Sequence, residues 1–245
     1  MNRRLVTLLF LLLPALAGAT SGGGHLDKAN IDLTNKQSLQ KGAKLFVNYC
    51  LSCHSAAYQR YNRMGSDLGL TEQQVIDNLM FAAQKIGEPM TVAMSRQNGK
   101  NWFGAPPPDL TLVSRSRGPD WLYTYLRTFY LDESRPFGVN NLVFPSVGMP
   151  HVLWELQGWQ KPVYKTVEHE GKERQVIDHL ELVEPGTMTP AEYDKAITNL
   201  VNFMTYMGEP VKLERQALGI KVLLFLLVLL VITYLLKKEY WKDVH

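Results

Sequence analysis

The chain has two cysteines, which lie three positions apart, and a histidine directly follows the second one. The stretch reads YCLSCHS, with Cys50, Cys53 and His54 in a C-x-x-C-H arrangement. This is the attachment sequence of c-type haem, because two thiols on one helical turn can add to the two vinyl groups of the macrocycle while the adjacent imidazole ligates the iron. A redox-active cysteine pair is the competing interpretation. The motif predicts one covalently bound haem c, attached through Cys50 and Cys53, with His54 as an iron ligand.

The residues before the motif favour haem attachment over a thioredoxin-like pair. In SLQKGAKLFVNYC, the residues Leu39, Ala43, Phe46 and Cys50 are spaced by four, three and four positions, so they fall on one face of a helix. A thioredoxin-like pair would instead open a helix that follows a strand. The cysteines therefore lie at the end of a predicted helix over 37–50.

A second axial side chain decides whether a haem iron carries electrons or binds small molecules. Met188 lies in the loop EPGTM, directly before a helix start at which Thr189 is the predicted N-cap and Glu192 completes a capping box. A sulfur held on such a stiff loop is well placed to reach the iron. We predict Met188 as the ligand opposite His54.

Other methionines and histidines compete for the same role. Met149 in VGMPH is the main alternative, and Met90, Met94 and the histidines stay open. Three methionines fall on apolar faces of predicted helices, where core packing explains them better: Met80, Met204 and Met207. An iron held by histidine and methionine has a raised potential and no open position, which favours electron transfer. A haem enzyme or gas sensor with an open iron position is the alternative from another class.

The two ends of the chain predict export and a membrane anchor. Residues 1–19 combine Arg3 and Arg4, a short apolar run and an A-x-A site, the layout of a secretory signal peptide. Residues 217–236 are long and apolar enough for a transmembrane helix. Lysines and aromatic residues follow in 237–245, which predicts a cytoplasmic tail. The domain at 20–216 is then periplasmic, and the protein is anchored in the bacterial inner membrane by a single C-terminal span.

The exported part is close to electrical neutrality. Residues 20–216 hold 20 basic and 21 acidic side chains, which argues against nucleic acid as a partner. An acidic excess over 155–194 could steer a basic partner, or could simply be a solvated surface. No Ser–His–Asp, paired-carboxylate or phosphate-loop pattern is present in the sequence.

The remaining periodicity predicts a mainly α fold with long loops. Helices are expected over 37–50, 71–86, 119–130 and 190–207, and a loop over 87–118. The three prolines in NWFGAPPPDL form either a rigid apolar wall against a haem edge or an ordinary connection. The alternating stretch around Glu170 and Gly171 predicts a small hairpin. The expected fold class is a class I cytochrome c-like haem domain with this excursion, plus the C-terminal helix.

The chain resembles the cytochrome c1 family over nearly its whole mature length. The motifs that carry the resemblance are LQKGAKLFVNYCLSCHS, NWFGAPPPDLTLVSRSRGPDWLYTYL, VGMP, GTMTPAEYDKAITNLVNFMTYMGEP and the C-terminal anchor. The resemblance implies the haem c subunit of the ubiquinol–cytochrome c oxidoreductase (bc1) complex, with Cys50 and Cys53 as thioether residues and His54 and Met188 as the axial pair. It also implies the partners: a cytochrome b subunit, the Rieske iron–sulfur protein as electron donor, cytochrome c or an equivalent acceptor, the lipid bilayer, and a dimeric complex.

One segment departs from the mitochondrial pattern. Between Gly138-Val139 and Gly148-Met149 the chain has only NNLVFPS, without the arginine that meets a haem propionate in those relatives. Arg127 or Arg135 could take its place. A membrane-anchored monohaem cytochrome c that serves another terminal oxidase or reductase is the alternative function.

Overall fold

The computed structural model describes residues 25–169 and 172–244, so the predicted signal peptide lies outside the described residues. About half of the chain is helical, and the described strands form three antiparallel two-stranded sheets. The expected mainly α fold is therefore confirmed.

The helices are named in chain order. They are α1 (Lys36–Leu45), α2 (Tyr61–Leu68), α3 (Glu72–Leu79), α4 (Arg96–Phe103), α5 (Val113–Arg117), α6 (Pro119–Arg127), α7 (Trp154–Gln157), α8 (Pro190–Gly208) and α9 (Lys212–Tyr240). The strands are β1 (Ala56–Arg60), β2 (Pro89–Met90), β3 (Phe129–Leu131), β4 (Val139–Asn141), β5 (Gly158–His169) and β6 (Lys172–Pro185). β1 pairs with β2, β3 with β4, and β5 with β6.

Helices α1 and α8 form the centre of the main hydrophobic core. The side chain of Asn35 caps α1 by accepting a hydrogen bond from the Ser38 N–H at 3.0 Å. The rings of Phe46, just after α1, and Phe203 of α8 lie 5.7 Å apart between centroids. The chain continues from α1 as a π-helical turn, Phe46–Cys50, which brings the first cysteine into this core.

Helix α8 begins as the sequence predicts. Thr189 and Glu192 form a capping box, and Pro190 occupies the first helical position. The helix then buries Tyr193, Ile197 and most residues from 200 to 208. The prediction of a helix over 190–207 is confirmed.

The predicted helix over 71–86 is too long. Helix α3 is capped by Thr71 and ends at Leu79, because Met80 leaves helical geometry at φ −105° and ψ 73°. The chain then returns to the start of α2, where the carbonyls of Ile86 and Glu88 accept from the N–H groups of Asn62 and Tyr61. The helix thus ends early, and the chain turns back to contact the start of α2. The predicted helix over 119–130 is likewise too long, since the chain after α6 pairs as β3.

The predicted loop over 87–118 contains two helices. Ser95 caps α4, and Gly104 ends it with φ 79°, a left-handed conformation that glycine adopts without strain. The sequence of α4 is polar and lacks helical periodicity, so its capping residues, Ser95 and Gly104, are the signals that could have predicted this helix. Helix α2 was also absent from the prediction, although Tyr61, Met64 and Leu68 repeat at helical spacing before Gly69.

The predicted hairpin and C-terminal helix are both present. β5 and β6 pair from Gly158↔Pro185 to His169↔Lys172, with two register shifts, and the root of β5 lies beside β3. Helix α9 covers the predicted span, is long and apolar enough to cross a membrane, and is fully exposed in the isolated chain. It fits a single-pass membrane anchor.

Candidate haem site

A cavity of about 600 Å³ brings the C-x-x-C-H residues together with an apolar wall. Cys50, Cys53 and His54 all line it. Both cysteines are free thiols. A cleft of this size, apolar and with a few polar groups, is of the kind that holds a cofactor.

Cys50 is held in the core next to the cavity, and burial together with the neighbouring Cys53 raises the pKa of its thiol to about 12. The thiol is therefore protonated at neutral pH and is a poor match for a low-pKa redox pair. The main hydrophobic cluster surrounds it. Cys50 is thus a buried thiol that also lines the cavity.

His54 is fixed by a backbone acceptor. Its Nδ1 atom lies 2.7 Å from the carbonyl oxygen of Pro108, so Nδ1 carries the proton and donates it. The Nε2 atom of His54 then keeps its lone pair for a metal. Burial lowers the pKa of His54, and the Pro108 carbonyl and Asp109 partly oppose this effect. A neutral imidazole in this tautomer fits an iron ligand.

The proline segment Pro106–Pro108 lines the same cavity, as the apolar-wall interpretation requires. Helix α4 packs directly behind this segment. A Cβ atom built on Gly99 of α4 would stand 2.8 Å from the ring of Pro107. The carboxylate of Asp109 holds the segment in place. It accepts from the N–H of Ala57 in β1 and from the N–H of Thr111, at 2.8 Å each. The carbonyl that orients His54 is thus held on a rigid loop.

The structure places Met149, and not Met188, among the residues that line the cavity. Met149 packs against a small satellite cluster of Phe129, Val139 and Val147, and its sulfur accepts a hydrogen bond from the Tyr125 hydroxyl at 3.4 Å. Met188 packs against the main core instead, and its N–H donates to the carbonyl of Leu156 at 3.1 Å. The choice of Met188 as the ligand opposite His54 stays a prediction.

Met204 is the other methionine that lines the cavity. It lies on α8 and is 3% exposed, within the same main core as Cys50. Met90 and Met94 are not among the lining residues, and neither is His151. His151 is buried, which lowers its pKa to about 4 and leaves the ring neutral at neutral pH.

Arg117 is the arginine that lines the cavity. Its guanidinium lies 5.3 Å from the centre of the Trp121 ring, a cation–π contact. Arg127 pairs instead with Asp27 and Asp194, each at 2.6 Å. Arg135 donates to the carbonyl of Ser146 at 3.0 Å. Neither of the two arginines suggested by the sequence lines the cavity.

Sequence analysis missed three further cavity residues, Arg117, Trp121 and Tyr125. They lie on α5 and α6, where the two rings stack at 4.9 Å between centroids. Trp121 and Tyr125 are four positions apart, which predicts that they share a helix face. The spacing does not predict that this face lines a cavity.

Comparison with known proteins finds similarity over nearly the full length of the chain. A profile of the cytochrome C1 family matches residues 28–244. Cytochrome c1 of Allochromatium vinosum is 54% identical over 244 residues, which cover 99% of this chain and 100% of that protein. A protein named ammonia monooxygenase gamma subunit, from Nitrosomonas europaea, is 49% identical over 99% of this chain and 98% of its own length. Cytochrome c1 of Rhodospirillum rubrum is 26% identical over 93% of this chain and 92% of its own length.

The site and the comparisons agree. Two thiols and an oriented imidazole line one apolar cavity, which fits the covalent haem c that the family carries. The chain therefore belongs to the cytochrome c1 family, the membrane-bound electron-transfer haem subunits of the bc1 oxidoreductase complex.

Proposed function

We propose that this chain holds one haem c through thioether bonds to Cys50 and Cys53, with His54 and Met188 as the axial ligands. The bound haem supplies a reversible one-electron change at its iron. The observation that carries the proposal is the cavity lining, in which two thiols and an oriented imidazole meet. Met188 packs against the main core that contains Cys50, on the loop directly before the capping box of α8.

Met188 is proposed because of the loop that holds it. Its N–H donates to the carbonyl of Leu156 at 3.1 Å, and the N–H of Thr187 donates to the carbonyl of Glu155 at 2.8 Å. Thr189, directly after it, caps α8. A sulfur on such a fixed loop, far in sequence from His54, suits the second axial position. Met149, which lines the cavity, is the main alternative.

Electron entry and exit are proposed to follow the family pattern. The chain accepts one electron from the Rieske iron–sulfur protein and passes it to cytochrome c or an equivalent acceptor, beside a cytochrome b subunit in a dimeric complex. Leu112 and Phe144 both line the cavity and are 47% and 42% exposed. The cavity thus reaches the protein surface at these side chains, where a partner can come close to the cofactor.

The membrane orientation is proposed from charge. Lys237, Lys238 and Lys242 follow the apolar part of α9, so this end is assigned to the cytoplasm. The haem domain is then on the periplasmic side, which matches a signal peptide at 1–19.

Three matched variants test the ligand assignment: Met149→Leu, Met188→Leu and Met204→Leu. All three should keep covalent haem, because the cysteines are unchanged. Met188→Leu alone should lose the methionine-to-iron charge-transfer band at the red end of the spectrum, and its midpoint potential should fall by roughly 0.1 V or more, within the ~0.8 V range that axial ligands span. Quinol-to-cytochrome turnover of the purified complex should stop with it. A normal band and potential in Met188→Leu would refute the assignment.

A further inference from the structure

The loop that carries Met188 is held by the short helix α7. The N–H groups of Thr187 and Met188 donate to the carbonyls of Glu155 and Leu156, at 2.8 and 3.1 Å. The Thr187 hydroxyl donates to the same Glu155 carbonyl at 3.0 Å. Because the loop uses its own backbone donors in these bonds, its position depends on that of α7.

Two glycines bring α7 and this loop into backbone contact. A Cβ atom built on Gly186 would stand 2.5 Å from the carbonyl oxygen of Leu156 and 2.6 Å from the N atom of Gly158. Gly158 follows α7 with φ 91°, and a Cβ atom there would overlap the carbonyl oxygen of Glu184. These neighbours are backbone atoms, which cannot swing aside, so both positions require glycine. The chain therefore enters and leaves the β5–β6 hairpin at one tight crossing, two residues before Met188.

Helix α7 is itself anchored by apolar and polar contacts. Leu153, directly before it, and Leu156 are both buried and belong to the main hydrophobic cluster. The side-chain amide of Gln157 donates to the carbonyl of Arg127, at the end of α6, at 2.8 Å. Gln160, early in β5, donates to the same carbonyl at 3.0 Å. The two glutamines thus tie α7 and the hairpin root to the end of α6.

Helix α6 forms part of the cavity wall, since its residues Trp121 and Tyr125 line the cavity. The end of α6 also holds α8, because the Tyr193 hydroxyl donates to the carbonyl of Leu126 at 2.8 Å. Helix α7, on which the Met188 loop rests, and α8, which follows that loop, are therefore both fixed to a helix of the cavity wall.

We propose that α7 positions the Met188 sulfur, with Gly186 and Gln157 as the positioning residues. The inference rests on the proposed function, in which Met188 is an axial ligand. Gly186 permits the backbone contact between the loop and α7, and Gln157 fixes α7 to the end of α6. Displacing the loop from α7 lets the sulfur leave the iron, while the domain stays folded on the core between α1 and α8.

The first variant acts on the backbone contact, in the haem-loaded full chain in detergent. Gly186→Ala places a Cβ atom against the carbonyl of Leu156. Gly87→Ala is the matched control, since a Cβ atom there has no other atom within 4 Å.

The second variant acts on the side-chain anchor of α7. It combines Gln157→Met with Gln160→Met, which keep the length of the side chains but cannot donate a hydrogen bond. The matched control combines Gln73→Met with Gln175→Met, because these glutamines donate to Asp77 within α3 and to Thr166 within the hairpin.

Two readouts follow the sulfur separately from the fold. The first is the temperature at which the methionine charge-transfer band is lost, set against the unfolding temperature from far-UV circular dichroism. The second is the binding of carbon monoxide to the reduced protein, which requires the sulfur to leave the iron.

Gly186→Ala and the Gln157/Gln160 variant should lose the band well below their unfolding temperatures. They should bind carbon monoxide roughly tenfold more tightly than the wild type, because a larger fraction of the protein has an open iron, and the controls should stay within about twofold. If Gly186→Ala keeps the wild-type band and carbon monoxide affinity, or loses the band only together with the fold, the proposal is wrong. An effect in Gly186→Ala alone would overturn the role of Gln157. If Gly186→Ala does not accumulate, the Gln157/Gln160 variant decides by the same criteria.

The outcome is separable from that of the proposed function. A charge-transfer band that survives Met188→Leu overturns the ligand assignment itself. A band that is lost in Met188→Leu but unchanged in Gly186→Ala leaves the ligand in place and overturns the role of α7.

Discussion

Gly42 of α1 lies so close to Asn199 of α8 that a methyl group on Gly42 would overlap the Asn199 carbonyl oxygen. The same methyl group would stand 2.6 Å from Cβ of Phe203. The two central helices therefore meet backbone to backbone at this point. Since backbone atoms cannot swing aside as a flexible side chain can, the crossing requires glycine.

Gly42→Ala should lower the free energy of unfolding by about 2 kcal/mol or more, because the helices must separate and the core that holds Cys50 loosens with them. The measurement is thermal unfolding of the haem-loaded chain, followed by far-UV circular dichroism. Gly87→Ala is the matched control, since a Cβ atom there has no other atom within 4 Å. Equal unfolding temperatures for the two variants would contradict the close approach.

Asp109 is expected to lower the midpoint potential of the haem. Asp109 lines the cavity, and its carboxylate fixes the loop whose Pro108 carbonyl accepts from His54. Negative charge and a firm hydrogen bond on the proximal histidine both favour the oxidised iron. Asp109→Asn should raise the potential by tens of millivolts, measured by a potentiometric titration. Asp132→Asn, at a turn carboxylate that does not line the cavity, should leave the potential unchanged.

Much of the fold could be predicted because its signals are local. The capping box of α8, the helix that leads into Cys50, the alternation of the hairpin and the apolar C-terminal run each lie within one segment. The errors came from non-local packing. Helix α3 ends at Leu79, and the chain then turns back so that the carbonyls of 86 and 88 accept at the start of α2. Nothing within the sequence of 71–86 reports that contact.

The same contrast between local signals and non-local packing holds for the residues of the candidate site. Cys50, Cys53 and His54 are recognisable from spacing alone, and the structure brings them together in the cavity. The methionine is different, because nine methionines occur in the chain and local geometry alone does not say which sulfur reaches the iron. The assignment of Met188 depends on how the loop before α8 packs on the core that contains Cys50, a contact between distant segments that periodicity does not reveal.

Arg117 should have the opposite effect to Asp109. It lines the cavity and stacks on Trp121, where a cation can meet a carboxylate of the bound cofactor. Positive charge disfavours the oxidised iron, so Arg117→Gln should lower the midpoint potential by tens of millivolts. Arg115→Gln on the same helix is the control, because Arg115 does not line the cavity. A lower potential in the control and not in Arg117→Gln would refute this assignment.

The acidic excess over 155–194 is concentrated at the hairpin root. The residues between 163 and 179 carry four acidic and three basic side chains, which nearly balance. Near the root, Glu155, Glu181 and Glu184 are all exposed. Lys161, opposite Glu181 in the register, is a nearby positive charge. We therefore expect any electrostatic steering of a partner to come from the root and not from the outer strands.

The last prediction separates these two parts of the hairpin. Changing Glu155, Glu181 and Glu184 together to Gln should slow the second-order reaction with a basic soluble cytochrome c roughly tenfold at low ionic strength, with the difference fading as salt screens the charges. Replacing residues 163–179 by Asn-Gly, a tight-turn pair between the partners Pro162 and Leu180, should leave both the rate and its salt dependence nearly unchanged. Stopped-flow kinetics across salt concentrations measure both. A rate in the wild-type complex that does not change with salt would mean that this acidic face does not steer the acceptor.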